Sequence, residues 1–101
     1  VEKKKPTYAL SRIKAAIGSV ETLAMTGSAL RDALALGFDR HAIAETINGI
    51  EASMFYKSMT TYRDHRQWQD VYHVPARDLV LYVKFQDDVV TEFKVMSFKE
   101  T

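Results

Sequence analysis

The stretch Leu79–Phe98, LVLYVKFQDDVVTEFKVMSF, decides what kind of fold this chain adopts. Leu79, Leu81, Val83 and Phe85 alternate with Val80, Tyr82, Lys84 and Gln86, the period of a strand with two distinct faces. Asp87-Asp88 interrupts the run before VVTEFKVMSF resumes it, so the two halves read as a hairpin. A three-residue loop at 86–88 opposes Phe85 with Val89, Val83 with Thr91, Leu81 with Phe93 and Leu79 with Val95, which gathers one mostly apolar face. A two-residue loop would instead set Val83 against Glu92 and Leu81 against Lys94, mixing the faces. The three-residue register is therefore expected, with Tyr82 and Lys84 turned away from the core, near Glu92.

Upstream, FYKSMTTYRDHRQWQDVY (Phe55–Tyr72) reads as two further strands and their loop, with Phe55, Lys57 and Met59 on one strand face. Before Phe55 the period is helical. After a solvated VEKKKP, Thr7 is placed to cap a helix through Leu10, Ile13 and Ile17 that Gly18 ends. VETLAM at 20–25 fits a brief strand or a turn. Thr26 or Ser28 caps SALRDALAL, which stops at Gly37, and Asp39 caps a third helix carrying the Ile43, Ile47 and Ile50 stripe, with Phe38 placed to staple onto Ile43. Pro6 and Pro75 fall where elements should begin or break. Helices first and strands later predict an α+β domain, a twisted and mainly antiparallel sheet packed against N-terminal helices, with 1–101 as one unit.

Composition narrows the function by exclusion. Lys plus Arg number 14 against 13 Asp plus Glu, a net charge of +1, so any basic surface is local. With no cysteine there is neither a disulfide framework nor a thiolate metal site, and a reducing cytoplasm suits such a chain. No apolar run approaches the roughly 20 residues needed to span a bilayer, and VEKKKP lacks the apolar stretch of a signal peptide. His41, His65 and His73 have no metal-ligand spacing, and Gly-rich phosphate loops and nucleophile elbows are missing, so no metal or cofactor is expected.

What remains is the polar, aromatic segment. Phe55–Tyr72 interleaves aromatic residues with Lys57, Arg63, His65 and Arg66. Such a pattern can stack on unpaired bases and hold phosphates, as single-stranded RNA requires, or its aromatics can simply build a sheet core. Lys57 beside apolar neighbours would have a less costly neutral form and could exchange protons near neutrality. On these patterns alone the reading is a compact α+β domain able to bind RNA.

YKSMTTY followed at close range by WQDVY, then LYVK and a terminal VMSFKE, resembles the MqsR family of mRNA interferase toxins, which have a RelE-like fold. The resemblance implies a toxin of a type II toxin-antitoxin system, a ribosome-independent, metal-independent endoribonuclease that prefers GCU-like sites. It implies mRNA as substrate and, as partner, a cognate MqsA-type antitoxin with a zinc-containing toxin-binding domain and a helix-turn-helix domain; the toxin alone would bind neither DNA nor membrane. The family's catalytic positions fall on Lys57, Gln69, Tyr82 and Lys99, with Tyr56, Met59, His65, Arg66 and His73 as substrate-binding candidates. Lys57 and Lys99 would neutralise charge on the scissile phosphate, Gln69 would orient it, and Tyr82 would exchange a proton. A non-catalytic RNA- or protein-binding module is the alternative. Strand parity raises one difficulty: carried along from Val95, it puts Lys99 on the helix side, opposite Tyr82, unless a bulge near Met96–Phe98 or twisting at the strand's end reunites them.

Overall fold

The computed structural model describes residues 1–101 as three helices against one face of a five-stranded sheet. In chain order these are β1 (Glu2–Lys3), α1 (Leu10–Ile17), α2 (Gly27–Ala35), α3 (Arg40–Asn48), a 3₁₀ turn at Ala52–Met54, β2 (Phe55–Thr60), β3 (Trp68–Ala76), β4 (Leu79–Asp88) and β5 (Glu92–Glu100). The strands lie side by side in the order β1-β2-β3-β4-β5, every pair antiparallel. The α+β expectation holds. No helix is long and apolar enough to cross a membrane.

The core forms between the helices and the inner face of the sheet. Ile13 and Ile17 from α1, Ala29 and Ala33 from α2, and Ile43 and Ile47 from α3 join Tyr72, Val74, Leu81, Val83, Phe85, Phe93, Val95 and Phe98 in one buried cluster. Helix limits follow from local chemistry: Thr26 accepts a hydrogen bond from the Ala29 amide and Asp39 one from the Ala42 amide, while Gly18 closes α1. Thr7, however, is no cap. α1 begins after Ala9 without a side-chain cap, because the Thr7 and Tyr8 amides instead donate to the buried Asp70 carboxylate and the Thr7 hydroxyl bonds Ser58. A buried carboxylate needs donors, and this chain crossing supplies them.

Four sheet expectations are corrected. VEKKKP is not merely solvated: Glu2 and Lys3 pair with Met59 and Ser58 as an edge strand, too short and charged for any period to reveal it. Pro75 breaks nothing; it lies inside β3 opposite Val80, beyond Tyr72, where pairing with β2 has ended. Its missing N–H is therefore not needed by a neighbour on that side. The tight turn is instead at Arg77 and Asp78, both at positive φ. The last hairpin keeps a short loop but moves it to 89–91, since the Asp88 carboxylate accepts from the Val90 and Thr91 amides and the Thr91 hydroxyl. Consequently Phe85 pairs with Val95, Lys84 with Ser97, Val83 with Phe98 and Tyr82 with Lys99; Glu92 is far from Tyr82 and bonds Arg12. Between Lys84 and Phe85 the register steps by one, leaving Met96 as a bulged residue.

Candidate active site

The same alternation that buries Leu81, Val83 and Phe85 turns Tyr82, Lys84 and Gln86 to the outer face of the sheet. Strand register then groups outer side chains into cross-strand rows. One row runs Met59, Gln69, Gln86 and Lys94; the next runs Lys57, Val71, Lys84 and Ser97; the third joins His73, Tyr82 and Lys99. Lys57, Gln69, Tyr82 and Lys99 therefore share one face. The Met96 bulge is what brings Lys99 there: Val95 and Phe98 both point inward, so the residue after Phe98 points out beside Tyr82.

A second bulge acts on β2. The register steps between Phe55 and Lys57, so Phe55 packs edge-on against the core residue Tyr72, with ring centroids 5.6 Å apart, and does not share a face with Lys57. Tyr56 takes that outer place. Its ring stacks on His73 at 4.1 Å and 21°, and His73 in turn lies 6.1 Å from Tyr82. Cations border this aromatic ladder: Lys4 stands 5.0 Å and Lys57 5.4 Å from the Tyr56 ring, and Lys99 stands 5.6 Å from the Tyr82 ring.

The charges on this face are set by specific neighbours. Lys57 donates to the Glu2 carboxylate, and that bond holds its ammonium above the ordinary lysine pKa despite partial burial. The expectation of a readily neutralised Lys57 is thereby reversed: its counterion comes from β1. Burial pushes the Tyr82 phenol above its usual value, with Lys57 opposing and Tyr56 and Glu2 adding to the shift. Lys84 moves the other way, lowered by burial first and then by the Lys99 and Lys57 ammoniums. Gln69 is almost buried and donates to the Gln86 side chain, which fixes its amide in place.

Two candidates stand apart from this cluster. His65 and Arg66 are exposed in the loop between β2 and β3, where Arg66 pairs with Asp64. Two residues that the sequence did not single out for the site, Glu2 and Lys84, lie within it. Lys84 had a legible signal in its two-residue spacing from Tyr82, whereas Glu2 had none, being paired across 55 positions. The largest cavity, about 570 Å³, is elsewhere, on the helical side between Gly18, His41 and Asn48. The outer face is thus an open sheet surface lined by aromatic rings and ammoniums, suited to an extended anionic chain more than to a small enclosed ligand.

Residues 5–100 match the family described as "Motility quorum-sensing regulator, toxin of MqsA". Over 102 aligned residues the chain is 41% identical to the mRNA interferase toxin MqsR of Escherichia coli (strain K12), with 99% of each chain covered.

Proposed function

The chain belongs to the MqsR toxin family, and from that premise we propose that it is a type II toxin that cuts mRNA as a metal-independent, ribosome-independent endoribonuclease. The observation that supports this most is the placing of Lys57, Tyr82 and Lys99 on one open sheet face, with Tyr82 and Lys99 directly paired. An mRNA strand would lie across that face, its bases against Tyr56 and His73. Cleavage follows from attack of a ribose 2′-hydroxyl on the adjacent phosphorus: the O2′–P bond forms, the P–O5′ bond breaks, and a 2′,3′-cyclic phosphate and a 5′-hydroxyl result. Lys57 and Lys99 neutralise charge gathering on the phosphate oxygens. Gln69, held by Gln86, orients the strand, and Tyr82 gives its proton to the departing O5′. GCU-like sequences are the preferred sites on this reading. Its partner is an MqsA-type antitoxin with a zinc-containing toxin-binding domain and a helix-turn-helix domain, the toxin itself binds no DNA, and its place of action is the cytoplasm, where mRNA is met.

The test is purified protein with a GCU-containing RNA in EDTA. Products ending in 2′,3′-cyclic phosphate are expected, and Lys57→Ala should abolish them while leaving the fold intact. RNA that is bound but uncut by the wild-type chain would make this a binding module.

A further inference from the structure

We infer that Lys84 is a further catalytic residue of this cleavage, the group that takes the proton from the attacking 2′-hydroxyl, an inference that rests on the ribonuclease reading above. Its place in the sheet is the first ground. Lys84 sits in the row Lys57, Val71, Lys84, Ser97, and Val71 has no solvent exposure although it lies outside the helix-side core. The aliphatic stems of the two flanking lysines are what can cover it. With strands about 4.8 Å apart, Lys57 and Lys84 start roughly 10 Å from each other and flank Val71 from opposite sides of the row. A phosphate seated there meets both, with Tyr82 and Lys99 in the adjoining row.

The second ground is that Lys84 lacks what keeps Lys57 charged. Four ion pairs form in the molecule, Arg12–Glu92, Lys57–Glu2, Arg66–Asp64 and Lys94–Asp88, and Lys84 is in none of them. The groups facing it are Lys57 from β2, Gln69 and His73 from β3, Tyr82 and Gln86 from its own strand, and Ser97 and Lys99 from β5; no carboxylate is among them. Glu2 is engaged by Lys57, and Asp70 is on the inner face bonded to Thr7 and Tyr8. Burial together with the two neighbouring ammoniums favours the free amine at Lys84. The lysines then divide the work. Lys57, charged, meets the phosphate; Lys84, in its free-amine form, accepts the 2′-hydroxyl proton and becomes an ammonium as the O2′–P bond forms, while the Tyr82 proton passes to O5′. Solvent afterwards removes the proton from Lys84 and restores that of Tyr82.

Single-turnover cleavage of a GCU-containing RNA in EDTA, followed as a function of pH, tests this with Lys84→Arg and Lys84→Ala. Arginine keeps the positive charge but supplies no free base. Lys84→Arg should therefore bind RNA as the wild type does and cut it about 10²- to 10⁴-fold more slowly. Lys84→Ala should be equally slow and should regain rate on addition of methylamine, in proportion to the free amine present as pH rises. Wild-type rate and pH profile in Lys84→Arg would overturn the assignment while leaving the ribonuclease intact. Failure of the wild-type chain to cut at all would remove both readings. Should circular dichroism show Lys84→Arg to be unfolded, the alanine variant decides, and the absence of amine rescue in it overturns the role.

Discussion

At Tyr82 one side chain meets two opposed influences, and burial outweighs the nearby Lys57 ammonium, so the phenol titrates above its ordinary value of 10.0. The sign of the consequence is definite. If the protonated phenol is the active form, a raised pKa keeps it active to higher pH, and the rate is lost only as pH climbs through that raised value. Tyr82→Phe should lower cleavage by about 10²- to 10⁴-fold with RNA binding retained, and should remove the alkaline decline seen in the wild type. A wild-type rate that instead rises with pH through an ionisation lost in Tyr82→Phe would make the tyrosine a base. Legibility at this scale was uneven. The four residues picked out by the YKSM, WQDVY, LYVK and SFKE motifs do share a face, but the protonation of Lys57 was misjudged, because the carboxylate that controls it lies on a strand of two residues with no period to detect. Which side chains share the face was readable; the neighbour that tunes one of them was not.

Bulges decide at the element scale which side chains reach the outer face. Hydrophobic alternation made the last two strands plain, but their register depended on Asp88, whose carboxylate closes a loop over Val89 and Val90. Those valines had the look of strand residues and are instead exposed. Local hydrogen bonding at an aspartate outweighed the β propensity of its neighbours. The Met96 bulge, in contrast, had a signature: a Tyr82–Lys99 site demands an extra residue between Val95 and Lys99. Its removal gives a direct test. Deleting Met96 removes the one unpaired residue and leaves Val95 inward, Ser97 outward, Phe98 inward and Lys99 outward in strict alternation, so the pairing of Tyr82 with Lys99 is kept. The expected result is a folded, cleaving variant whose denaturant unfolding changes by about 1 kcal/mol. Loss of the NMR contact between Tyr82 and Lys99, or a loss of about 3–5 kcal/mol as Phe98 leaves the core, would show that this register does not survive without the bulge.

Across the whole molecule the net charge of +1 conceals a division between faces. Lys57, Lys84 and Lys99 stand together on the outer sheet face, whereas the helices carry both signs mixed, Arg31 and Arg40 beside Asp32 and Glu45. Composition could exclude a strongly basic protein but could not reveal this separation, which exists only once register is known. It predicts how binding responds to salt. Each phosphate neutralised on a single strand contributes about −0.7 to the slope of log affinity against log salt. If this exposed ammonium meets the strand as proposed, Lys99→Met should make that slope shallower by about 0.7. Arg31→Met, which removes the same charge from exposed α2 on the helical side, should leave the slope as it is. Binding of an uncleavable RNA carrying 2′-deoxy at the cut site, measured by fluorescence anisotropy over a salt series, distinguishes the two variants. Equal changes would mean that bulk charge, and not the outer sheet face, holds the strand. A shallower slope for Lys99→Met alone ties the electrostatic footprint to the face on which Tyr82 and Lys99 are paired.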